Sequence, residues 1–165
     1  GYASDITRTF PVNGKFSNPQ KEIYEIVLNA QIQAIASIIP GGDVNKPHEI
    51  ACEIISRGLM KLGIMDDISN LRKFYMHGTG HWLGLDVHDV GAKEIDNSFR
   101  KFEVGMVTTV EPGIYIRKDD KIDPKYWNIG IRIEDDVLVT MDGNHVLSEA
   151  AIKNVEDIEY LMSQH

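Results

Sequence analysis

The sequence predicts an α+β domain. Two stretches repeat apolar residues at helical spacing: Ile23, Val27, Ala30, Ala34 and Ile38 in one, Ile50, Ile54 and Leu62 in the other. Three stretches read as strands: Asp5 to Val12, Met106 to Ile116 and Ile129 to Thr140. The helices fall together between the strand groups instead of alternating with them, which is the α+β arrangement.

In the first stretch, Ile6, Arg8, Phe10 and Val12 share a mostly apolar face and Asp5, Thr7 and Thr9 share the other. Pro11 marks an edge or an end, and Asn13-Gly14 signals a turn. The first helix is expected to use Asn18 as its cap and Pro19 as its first residue, and to stop by Pro40-Gly41-Gly42. The second is expected from Lys46 to Leu62, with Pro47 in its first turn, Gly63 as its stop and Gly58 as a weak point inside it. A loop spans Gly91 to Arg100. Glu111-Pro112-Gly113 interrupts the next strand, and a short helix from Val155 to Met162 closes the chain. No repeat or interdomain linker divides the 165 residues, a length that suits one domain.

With 17 basic and 25 acidic residues the net charge is −8. That argues against a nucleic-acid or anionic-membrane binder. The longest apolar runs are too short to span a bilayer. The single cysteine, Cys52, excludes an internal disulfide framework and fits a reducing, cytoplasmic setting. Its apolar surroundings predict a buried, inert thiol. The chain opens at Gly1-Tyr2-Ala3 without an initiator Met, as it would after loss of a preceding signal or domain.

The segment from Met76 to Asp89 holds three of the six histidines, His77, His81 and His88. Imidazoles bind metals and move protons near neutral pH. Gly78 and Gly80 disfavour a helix, and the helical zinc-protease motif would need Glu where Gly78 stands. A glycine-rich turn running into a strand fits a site where backbone approaches ligand closely. His48, His145 and His165 lie apart from the group and read as surface residues.

Three acids stand in or beside strand patterns: Asp5, Glu111 and Glu134. With Ile129, Ile131 and Ile133 turned to the core, Arg132 and Glu134 point together to the other side. Carboxylates in strand centres are costly unless paired or metal-bound. Singly, Asp5 reads as a solvated strand end, Glu111 as a turn acid and Glu134 as the partner of Arg132. Together with a histidine they make an oxygen-rich set suited to manganese, cobalt, zinc or iron.

The segments GYASDITRTFPVNGKFS, MHGTGHWLGLDVHDVG, TTVEPGIYI and GIRIEDDVLVT resemble, in order, those of Xaa-Pro aminopeptidases (aminopeptidase P). These belong to the pita-bread metallopeptidases, with prolidase and methionine aminopeptidase. The resemblance spans nearly the whole chain and implies a pita-bread fold, incomplete at its N-terminal side. Residues 1–165 would then be the C-terminal portion of the catalytic domain, with an N-terminal domain and the first part of the catalytic domain lying upstream.

It further implies that Asp5, His81, Glu111 and Glu134 are metal ligands. His77 and His88 become substrate-side catalytic residues and Arg132 lines the site. The family binds two divalent ions, expected here to be manganese, and uses a second aspartate that would precede Gly1. At most one ion is therefore expected on this chain, which alone could be inactive. The implied reaction is metal-activated water attack on the bond before proline, with Glu111 as proton shuttle. Implied partners are peptides beginning Xaa-Pro, and further copies in a homo-oligomer. The alternative is a metal-free relative, either a binding module or a creatinase-like C–N hydrolase.

Overall fold

Ser17, not Asn18, starts the first helix. In the computed structural model, which describes residues 1–164, α1 runs Asn18–Ala36. The Ser17 hydroxyl accepts from the Gln20 N–H, and the Gln20 side chain accepts from the Ser17 N–H. This reciprocal cap satisfies two otherwise unpaired donors. Helix α2 spans Lys46–Lys61, and Gly63, at φ +69°, ends it in the left-handed region that glycine tolerates.

The buried face of α2 is Pro47, Ala51, Ile55 and Leu59. The expected stripe of Ile50, Ile54 and Leu62 lies at its margin, half-buried. Gly58 sets that rotation: a Cβ there would meet the Ile26 side chain at 2.7 Å, so α1 and α2 approach closely at this point. Ile23, Val27, Ala30, Ala34 and Ile38 are fully buried, as their spacing predicts.

The two long strand signals each split into two strands. The first becomes β3 (Val107–Val110) and β4 (Gly113–Ile116), the second β5 (Ile129–Arg132) and β6 (Asp135–Thr140). β3 pairs antiparallel with β6, and β4 with β5, in a single register. Carried through the break, that register sets Glu111 opposite Glu134. β7 (Gly143–Val146) follows a turn at Asp142 and extends the β3–β6 sheet. A small hairpin, β1 (Glu94–Ile95) and β2 (Ser98–Phe99), turns through Asp96 and Asn97 at positive φ inside the predicted loop. Helix α3 is Val155–Met162.

Residues 79–83 run antiparallel along the free edge of β3, through Glu111 N–H to Thr79 O, Thr109 N–H to His81 O and Leu83 N–H to Val107 O. The N-terminal stretch lies along the opposite margin, beside β5 and β6. It is not the regular strand expected: among the described residues only the Glu134 N–H to Thr7 O bond is backbone to backbone along β5 and β6. Thr9 bonds Arg132 through its side chain, and the Asp5 N–H meets the Asp136 carboxylate. Side chains take the place of ladder partners here, so no regular strand forms. Ile6, Phe10 and Val12, the apolar face of this stretch, are exposed, because nothing among the described residues covers them.

One core cluster joins α1, α2, α3, β4 and β5. A second, smaller one sets Ile35 and Ile38 against Phe102, Val110, Val137 and Val139. No helix among the described residues is long and apolar enough to cross a membrane.

Candidate metal centre

Four adjacent lanes of chain each deliver one candidate ligand: Asp5 from the N-terminal stretch, Glu134 between β5 and β6, Glu111 between β3 and β4, and His81 from the edge segment. The shared break in the strand pairs explains the two glutamates. Pro112 has no N–H to give, and Ile133 returns only a long bond to the Pro112 carbonyl at 3.4 Å. Gly80 allows the edge segment to close in, since a Cβ there would lie 2.0 Å from the Thr109 carbonyl oxygen.

His81 Nδ1 lies 3.0 Å from the Trp82 carbonyl, which can only accept, so Nδ1 carries the proton. In the neutral ring Nε2 is then a lone pair. It faces Asp5 Oδ2 at 3.4 Å and Glu111 Oε1 at 3.6 Å, both acceptors. A lone pair aimed at two carboxylates favours a cation between them, whether a second ring proton or a metal ion. Glu134 sharpens the point. It is 2 % exposed; Oε2 accepts from the Thr7 hydroxyl at 2.5 Å, while Oε1 has no partner among the described residues. Burial, and then the charges of Glu111 and Asp5, push its carboxyl up to about 7. His81, Glu111 and Glu134 can offer atoms to one ion, as can Asp5, His81 and His88. This hard, oxygen-rich set fits a divalent metal.

The other predicted residues ring this cluster. His88 is exposed, with its ring 4.4 Å from that of His81. His77 Nδ1 donates to the Gly78 carbonyl at 2.7 Å, which leaves Nε2 to accept from the Tyr115 hydroxyl at 2.8 Å. Arg132 is exposed, and its charge opposes the rise that burial imposes on Tyr115. Tyr115 was missed by the sequence reading, although it alternates with the buried Ile114 and Ile116 and so points to the Glu111 side.

His48, read as a surface residue, is instead half-buried behind the edge segment, because α2 is packed beneath it; Nδ1 lies 2.8 Å from the Thr79 hydroxyl. Cys52 is half-buried, with Sγ 3.5 Å from His48 Nε2, and burial pushes its thiol up, as an inert thiol requires. His145 is exposed as expected, and His165 lies outside the described residues.

A family model for metallopeptidase family M24 matches residues 1–141. The chain belongs to that family. It is 53% identical to the Xaa-Pro aminopeptidase of Haemophilus influenzae, over 98% of this chain and 39% of that protein. Among solved structures, Pseudomonas aeruginosa aminopeptidase PepP superposes with a TM-score of 0.95 at 49% identity, covering 99% of this chain and 39% of that one. Zinc-substituted Escherichia coli aminopeptidase P in complex with product gives 0.92 at 48%, over 99% and 38%. The chain thus spans about two fifths of the length of these relatives. The M24 chain has the α+β pita-bread fold, and the family's divalent-metal use agrees with the donor set described above.

Proposed function

We propose that the intact protein is a metal-dependent aminopeptidase that releases the N-terminal residue from peptides with proline second. The observation that carries this is the His81 Nε2 lone pair facing two carboxylates beside the unpartnered Glu134 oxygen. The likeness to relatives named Xaa-Pro aminopeptidase, at up to 53% identity, supports the choice of bond.

In this reading the 165 residues are the C-terminal portion of the catalytic domain. Asp5, His81, Glu111 and Glu134 would hold one divalent ion. A second, with manganese expected at both places, would share Asp5 and Glu134 and take a further ligand from outside this chain. An ion held there would supply Lewis acidity, acidifying a water and polarising the scissile carbonyl. Glu111 takes the water's proton on a carboxylate oxygen and passes it to the departing proline nitrogen. That nitrogen carries no N–H in the substrate, so the site need not supply an acceptor for one. The Tyr115 hydroxyl bond fixes the His77 ring, which with His88 orients the substrate and steadies the charge growing on the carbonyl oxygen. Arg132 lines the approach on the same side.

The test is hydrolysis of Xaa-Pro peptides by the intact protein with added manganese. Cleavage is expected, with Glu111→Ala lowering kcat by about 10²–10⁴-fold. No cleavage by the wild type, with Glu111→Ala no different, overturns the reading.

A further inference from the structure

Thr79 sits midway between His77 and His81, flanked by Gly78 and Gly80. Two glycines beside one residue leave the backbone conformationally free, and a free backbone cannot hold a ligand in place. Thr79 is nevertheless only 4% exposed, and two side chains grip its hydroxyl: Tyr75 at 2.5 Å and His48 Nδ1 at 2.8 Å. Its carbonyl accepts the Glu111 N–H at 2.7 Å. One residue therefore ties the histidine segment to the backbone of the candidate proton shuttle.

We propose that His48 is a positioning residue: through the Thr79 hydroxyl it fixes the chain between His77 and His81 and, with it, the Glu111 backbone.

His48 suits this task by its place. It stands in the first turn of α2, a helix locked against α1 at Gly58, so its ring is referred to a rigid element and not to a loop. Burial, together with the charges of Lys93, His77 and Arg72, holds the imidazole below its ordinary range and keeps it neutral. A neutral ring offers one donor and one acceptor, enough for Thr79 at Nδ1 and the Cys52 thiol at Nε2. Groups that orient metal ligands from behind affect metal affinity and turnover by about 10–100-fold when removed. His48 acts one step further back, so the lower end applies.

The inference rests on the metallopeptidase reading, and the experiment separates the two. His48→Leu fills the ring's volume without a hydrogen bond, and His48→Asn keeps a polar atom near the Nδ1 position. Manganese titration by calorimetry and peptide hydrolysis are measured on both variants of the intact protein. His48→Leu is expected to weaken manganese binding and lower kcat, each about tenfold. KM should change less than about twofold, and His48→Asn should recover most of both losses. Unchanged manganese affinity in His48→Leu overturns the proposal. So does His48→Asn behaving like His48→Leu, or a lowered melting temperature with affinity intact, since a merely structural residue would act in those ways. If His48→Leu does not fold, Thr79→Ser against Thr79→Val gives the same comparison. A wild type that binds manganese but cleaves no Xaa-Pro peptide sinks the proposed function alone, while the titration still decides His48.

Discussion

Glu134 shows how one carboxylate couples protons to metal. Its folded pKa of about 7 lies above the ordinary 4.5, so without metal the folded state prefers the protonated acid. Metal-free stability should therefore fall as pH rises from about 4.5 to about 7. Metal needs the carboxylate and competes with that proton. Manganese affinity should climb from pH 5.5 to 7 and then flatten, and Glu134→Gln should remove most of the climb; calorimetric titration across that range checks both. The acids Asp5, Glu111 and Glu134 stood out in the sequence because polar residues in apolar strand patterns need a reason to be there, while their grouping with His81 as ligands came from the family resemblance. His48 did not stand out, because its partner is a hydroxyl 31 residues away and nothing local marks the contact. Tyr115 carried a signal, its alternation with Ile114 and Ile116, but an aromatic in a strand is ordinary enough to pass unnoticed.

At the level of elements, Gly58 is a deliberate gap. Replacing glycine by alanine inside an exposed helix gains about 1 kcal/mol. Here the new methyl would press on Ile26, and overpacking of this kind costs about 1–3 kcal/mol. Gly58→Ala should thus lower stability by about 1 kcal/mol net of that gain, and adding Ile26→Ala should relieve the clash. Denaturant unfolding of the two single variants and the double shows whether the effects fail to add. The buried face of α1 was readable because its apolar spacing persists from Ile23 to Ile38, whereas α2 was readable in its bounds and not in the face it buries. The N-terminal stretch misled because alternation predicts which faces differ, not whether a neighbour will offer a backbone to pair with. At Asp5 the neighbour offers the Asp136 carboxylate, and at Thr9 it is the Thr9 hydroxyl that meets the Arg132 backbone.

Across the whole molecule, Asp135 ties distant parts together. It is fully buried and bonds Arg8 at 2.7 Å, Lys153 at 2.5 Å, Ser148 and Gln31. Burial alone would raise its carboxyl; the bonds from Lys153, Ser148, Arg8 and Gln31 outweigh it and hold the group below its ordinary 3.8. A depressed folded pKa stabilises above the unfolded value and is lost as pH falls through the folded one. Its contribution should be complete at neutral pH, begin to fall near pH 4 and be lost only below the folded value. Asp135→Asn leaves two cations facing a neutral amide and should cost about 3–5 kcal/mol at pH 7. Thermal unfolding at pH 7 and pH 3 should show a large gap between wild type and variant that narrows in acid.

The four lanes also order events in time. The candidate ligands sit at positions 5, 81, 111 and 134, so no short stretch of the growing or collapsing chain holds a complete set. The long loops between them must close first, at an entropic cost that no bound ion can offset beforehand. Metal capture is then a late event, after the barrier has been crossed. Manganese should leave the refolding rate of the intact protein nearly unchanged and slow its unfolding. Stopped-flow traces with and without the ion would show it, and a matching acceleration of refolding would mean that the centre assembles early after all.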